Sequence, residues 1–230
     1  YLKDSVTIEN LEQGTAVYYL ADGDVILSNA DLSTLYVGAA CDAEFGDEVA
    51  EGKYAGINAF ASLEKALAFA EMNTTVTRIE IDCDITETTT AKTYNITQNL
   101  TIGAAAPVSV TLNGANLNIY QKNNNSSVTI EENVTLAGAG VVANGFYTSN
   151  NELVIDGTLK ALSLKQWTSN NKITVSETGK VVLGYGDGQF DMAYGNGVVD
   201  VTGTLTDTTD LSAGPQFQAG YSGTRGDGNV

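Results

Sequence analysis

The 230 residues carry 28 acidic and 11 basic side chains, a net charge of −17. That balance excludes nucleic acid and anionic membrane surfaces as partners, because no basic stripe is present to displace counterions. With 43% hydrophobic residues and a mean hydropathy of −0.06, the chain is globular and long enough to bury a core, and no apolar run approaches a membrane span.

The first segment, residues 1–35, holds strand-like runs at Ser5–Glu9, Ala16–Leu20 and Val25–Ser28, the last two separated by the turn Ala21-Asp22-Gly23-Asp24. The opening Tyr1-Leu2-Lys3-Asp4 reads as that of a processed or trimmed product. An acidic, glycine-bearing loop from Ala39 to Gly56 follows. Then Ala59, Leu63, Ala66, Leu67 and Ala70 take the three-four spacing of an amphipathic helix over 58–72. Asn58 or Ser62 serves as its N-cap and Asn73 ends it, with Glu64 and Lys65 on the wet side. Residues 36–77 thus form a loop and a capping helix.

From Arg78 the period becomes two and stays so. Val110-Thr-Leu112, Val128-Thr-Ile130, Leu153-Val-Ile155, Ile173-Thr-Val175 and Val199-Asp-Val201 share one template and recur at steps of 18 to 26 residues. Inside that series Tyr147-Thr-Ser-Asn-Asn151 returns as Trp167-Thr-Ser-Asn-Asn171. A single coil of this kind cannot bury its own apolar row. Stacking coils at ~4.8 Å buries the row and pairs each backbone N–H with the next coil. The outward residues Thr129, Glu131, Asp156, Lys160, Thr174 and Thr202 stay polar, and the crossovers should wind right-handed. Gly114, Gly157 and Gly203 fall at corners that need positive φ or a missing side chain. Asn150-Asn151 and Asn170-Asn171 should align as stacked amides. The fold class is therefore all-β: a single right-handed parallel β-helix with an N-terminal strand region and one capping helix. Its coils span 78–210, and 211–230 form a last coil or flexible tail.

Leu35-Tyr36-Val37, then Gly56-x-Asn58-Ala59-Phe60-x-Ser62-Leu63-x-x-Ala66-Leu67, then Ile79-x-Ile81 resembles the entry to pectin-lyase-like right-handed β-helix proteins. The resemblance covers residues 35–210 and points to bacterial surface and adhesin-like members. It implies an end cap made of a short strand, a loop and a helix. Enzymes of that superfamily degrade polysaccharides. Its lyases use an acidic calcium cluster with an Arg or Lys base; its hydrolases use Asn-Thr-Asp, Asp-Asp and Gly-His-Gly. This chain has no histidine, only Arg78 and Arg225 as arginines, and no adjacent Asp-Asp. No catalytic residues and no cofactor are expected, and Arg78 reads as a solvent-exposed flank.

Four sets of residues remain as candidates. The carboxylate pairs Asp82/Asp84, Asp187/Asp191 and Asp207/Asp210 offer acid and base for glycoside hydrolysis, or are solvated surface. The run Gly184–Asp191 could hold calcium or form a wide turn, so metal binding stays open. Cys83 reads as a small buried apolar residue, with a Cys41–Cys83 bridge as the alternative. Tyr120, Tyr147, Trp167 and Tyr194 supply one aromatic per coil, either a strip for stacking on sugar rings or a packing stack. Arg225-Gly226-Asp227 matches the integrin-recognition tripeptide or is a chance match in a Gly-rich tail, and the Asn-x-Ser/Thr sequons at Asn73, Asn95, Asn99, Asn124, Asn125 and Asn133 follow from composition. The resulting expectation is a non-catalytic, adhesin-like module, secreted or at the cell surface, that meets glycans or surface proteins through the aromatic strip. The alternatives are a polysaccharide-degrading lyase or hydrolase, and a purely structural stalk.

Overall fold

The computed structural model describes residues 31–114, 117–145, 147–166, 170–183, 190–192, 198–207 and 217–219, together with the strands Ala16–Tyr19 and Val25–Ser28. These last two pair antiparallel with each other.

Alternation of apolar and polar residues sets the architecture. Thr34–Val37, Arg78–Ile81, Leu100–Gly103, Ser127–Ile130, Glu152–Ile155, Lys172–Val175 and Val198–Val201 pair in parallel along one sheet, which Ala59–Phe60 extends beside Thr34–Val37. A second parallel sheet stacks Ile85–Thr89, Val108–Gly114, Val134–Asn144, Thr158–Gln166, Lys180–Leu183 and Thr204–Asp207. Each circuit runs through one strand of the first sheet and then one or two of the second, where Lys92–Ile96, Leu117–Gln121 and Phe190–Met192 pair with one another or with the far ends of the long strands Val134–Asn144 and Thr158–Gln166, so it adds one rung to both. The result is a right-handed parallel β-helix of about six turns with one helix, as the periodicity predicts. Because Thr34–Val37 pairs with Arg78–Ile81, the ladder starts at Thr34, ahead of the boundary read at residue 78.

The register sorts the core into columns. Leu35, Ile79, Ile102, Ile130, Ile155 and Val175 stand on successive rungs, each at most 1% exposed. Facing them, Ile85, Val110, Leu136, Leu159 and Val181 form the matching column of the second sheet. Each such side chain contributes about 2 kcal/mol of burial, provided the next rung covers it.

Corner glycines take the two forms foreseen. Gly114 has φ +100°. Gly157 and Gly203 instead lie against the carbonyls of the preceding coil, where a Cβ would meet oxygen at 2.2 and 2.1 Å.

The helix Leu63–Met72 starts at Ser62, whose Oγ accepts the Lys65 N–H, and buries Leu63, Ala66, Leu67 and Ala70. That apolar face lies on the first rungs. Glu64 departs from the expected wet side and turns inward: it accepts from the Thr90 hydroxyl and from the buried Tyr94 hydroxyl at 3.1 Å, while Lys65 stays exposed. The helix sequence alone cannot reveal this, because the partners come from Thr90 and from Tyr94 on the strand Lys92–Ile96. Glu71 docks likewise, accepting from the Asn95 backbone N–H and side-chain amide.

Glu87 lies beneath the helix N-terminus. Burial pushes its carboxyl up from the ordinary range; the Glu64 N–H, the Ser62 hydroxyl and the Leu63 N–H temper the shift without well-formed hydrogen bonds to either oxygen. A carboxyl whose pKa is raised on folding disfavours the fold once ionised, and that penalty disappears as pH falls through the folded pKa. Glu87→Gln is therefore expected to raise the thermal midpoint at pH 7, with the gain vanishing below about pH 4 where both states bind the proton. Thermal melts at the two pH values check this; an equal or lower midpoint at pH 7 contradicts it.

Arg78 is not the solvent-exposed flank expected. Its guanidinium makes a bidentate pair with Glu131, 2.7 Å on each arm, and its Nε donates to Glu80 at 2.7 Å. Gly103 stands on the rung between, and a Cβ there would fall 2.1 Å from Glu131 Oε2, so the pair occupies space that only glycine leaves. The Arg78 hydrogen bonds hold the Glu131 carboxyl below the usual carboxylate range. Cys41 is buried, Cys83 is half-buried, and they are not bridged.

Candidate functional site

The Asn pairs build one corner of the solenoid, where the chain leaves the second sheet and enters the first. Counting back two positions from the aligned residues Ser127, Glu152 and Lys172 gives Asn125, Asn150 and Asn170. Their φ values are 58°, 60° and 61°, a left-handed turn that asparagine tolerates better than other side-chain-bearing residues. The following residues Ser126, Asn151 and Asn171 point inward and are 6%, 2% and 1% exposed.

Within this inner file each rung is tied to the next. Asn151 Oδ1 accepts the Ser126 backbone N–H and its hydroxyl, both at 3.0 Å. Asn171 Oδ1 accepts the Asn151 N–H at 2.9 Å, and Asn171 Nδ2 donates to Thr148 O at 3.0 Å. So the second asparagine of each pair does stand on successive rungs of one inward file, but its amide bonds to the backbone of the neighbouring rung and not to the next amide as expected. The first asparagine faces solvent instead.

Asn125, Asn150 and Asn170 are all exposed, one per rung, with Lys122, Asn123 and Asn124 exposed beside them. Tyr147 joins this outer surface at 72% exposure, with φ 61°. An aromatic residue held left-handed costs about 1–2 kcal/mol, so the surroundings impose the position. The corner that carries it, between Asn144 and Glu152, is two residues longer than those between Gln121 and Ser127 or Gln166 and Lys172. Gly145, with φ 68°, opens the extra length.

Of the four aromatic candidates, the structure does not bring Tyr120 and Tyr147 into one column. Tyr120 is half-buried on Leu117–Gln121, in register with Asn95 and Ala143, and burial raises its hydroxyl pKa. Tyr147 lies three residues past Asn144, beyond the end of the neighbouring strand and four positions from the register partner of Tyr120. Counting back from Ile130 and Ile155 gives ten and eight residues, and the longer corner hides the other two. Trp167 and Tyr194 lie outside the described residues. The signal for the exposed asparagines in the sequence is the Asn-Asn echo.

The carboxylate candidates that can be placed are committed elsewhere. Asp82 pairs with Lys53 at 2.6 Å and Asp84 accepts the Ser109 N–H at 2.7 Å. Asp187, Asp210, most of the Gly184–Asp191 run and Arg225-Gly226-Asp227 lie outside the described residues, and Asp191 and Asp207 are placed by backbone alone. A notch of about 250 Å³ at the Gly138 bulge is lined by Thr111, Asn113, Leu162 and small residues, and contains no titratable group. Among the described residues no cluster of acidic, cysteine or histidine side chains is placed to hold a metal ion.

No family model matches the chain, and comparisons with curated proteins and with solved structures return no match.

Proposed function

We propose that this chain is a non-catalytic, adhesin-like β-helix module, secreted or at the cell surface, that binds glycans at the asparagine corner around Tyr147. The single observation that carries the reading is an exposed, conformationally costly aromatic beside solvent-facing amides repeated on successive rungs. An aromatic face suits the C–H face of a sugar ring, and an amide offers both donor and acceptor to its hydroxyls. The net charge of −17 favours neutral over acidic glycans. The pairing of Glu64, Glu71, Glu131, Asp82 and Asp84 with structural partners supports a non-catalytic role. That same commitment of polar groups to rung-to-rung contacts favours a stalk as the second reading.

A glycan array separates the two. The unsubstituted chain is expected to bind a subset of neutral glycans, and Tyr147→Gly to lose about tenfold in affinity, the order of one aromatic anchor. Glycine accepts the left-handed backbone, so the substitution removes the ring without adding strain. An array with no signal for the unsubstituted chain would overturn glycan binding and favour the stalk.

A further inference from the structure

Three amide oxygens on the inner side of the corner have no hydrogen-bond donor: Gln121 Oε1, Asn144 Oδ1 and Gln166 Oε1. Their residues are 2%, 0% and 1% exposed. Asn144 is the direct register partner of Gln166, and the Tyr120–Ala143 pair puts Gln121 opposite Asn144. They therefore occupy consecutive positions of one inward column, at a rung spacing of ~4.8 Å. In that column Ile96 precedes them, and beyond Gln166 the backbone register continues to Met192.

Rotating the amides does not answer the need. Each N–H₂ already closes the corner from inside: Gln121 Nε2 donates to Ser126 O at 2.6 Å, Asn144 Nδ2 to Lys172 O at 2.7 Å and Gln166 Nε2 to Asn171 O at 2.8 Å. A flip would turn those donors away and set oxygen against oxygen. Leaving the three acceptors unmet would cost about 1–3 kcal/mol apiece, a large share of a domain's net stability.

The partner has to donate two hydrogens and span one rung. Water does this, since two O–H···O bonds of ~2.8 Å reach oxygens on neighbouring rungs. A metal cation is disfavoured because each gap offers two neutral side-chain oxygens, against the six or more that hard cations take. We propose that the corner binds a file of internal water molecules, one between Gln121 and Asn144 and one between Asn144 and Gln166, that stitches three rungs together behind the Asn151–Asn171 ladder.

A high-resolution crystal structure of the chain, with ¹⁷O magnetic relaxation dispersion to count long-lived waters in solution, tests this. Both bridging waters are expected in density. Gln166→Met, which replaces the amide with an apolar side chain of similar length, should lose the water beside it and keep the other. Direct amide–amide bonds, a bound cation in place of water, or an unchanged count of long-lived waters in the variant would overturn the proposal. Should the variant not fold, density in the unsubstituted chain decides.

Discussion

Gly157→Ala is expected to destabilise the fold by about 3 kcal/mol, the upper end of what forced overpacking costs. A Cβ at this position would stand 2.2 Å from Glu131 O and 2.4 Å from Val134 O, both backbone atoms that cannot rotate away. Retreat is blocked as well, because Gly157 is bonded on both sides. Its N–H donates to Ile130 O on one rung and its carbonyl accepts Lys180 N–H from another. The control is Gly52→Ala, where nothing lies within 4 Å and only the φ of +70° opposes a side chain. That variant should lose about 1 kcal/mol. Urea denaturation of both variants against the unsubstituted chain reads the difference. Equal losses would mean that the corner opens to admit the methyl and that coil stacking is looser than the distances imply.

Asn151→Ala comes next, at an expected cost of about 2–3 kcal/mol. The substitution strands the buried Ser126 N–H, which has Asn151 Oδ1 as its acceptor, and it removes the bond from Asn151 Nδ2 to Thr148 Oγ1. Its neighbour in the same dipeptide behaves oppositely. Asn150 is exposed with φ 60°, and Asn150→Gly keeps the backbone while deleting only a solvent-facing amide. That change should stay within about 0.5 kcal/mol. Two adjacent asparagines that look equivalent in the sequence thus carry different loads, one holding the fold and one belonging to the proposed binding surface.

The contrast marks how far the sequence can be read. Repetition of apolar-x-apolar and of the Asn pair is enough to indicate coils, because period and composition are local properties. The helix is legible for the same reason, with Ser62 one of its two candidate caps, but its start is not: Ala59–Phe60, inside the expected 58–72, is a strand because it pairs with Thr34–Val37. What a period cannot supply is register. The Arg78–Glu131 pair joins residues 53 positions apart through a gap left by Gly103, and no local pattern reports it. Glu64 looks solvated until the strand bearing Tyr94 is placed under the helix. Tyr120 and Tyr147 stand four register positions apart, and counting from strand anchors shows only two of them because the corner before Glu152 is two residues longer. The exposed site was half legible: Tyr147 was named, whereas the asparagines around it were read only as structural amides.

Rung-to-rung coupling through the asparagine corner is the claim on which both the fold and the proposed site depend. Residue-resolved hydrogen exchange of the Ser126 backbone amide in Asn151→Ala tests it most directly. These residues are 25 apart in sequence and meet only if one coil stacks in the stated register on the next. Strong protection of the Ser126 amide is expected in the unsubstituted chain and a selective loss of it in the variant, with the Ile102 and Ile155 amides still protected. Unchanged protection at Ser126 would contradict it.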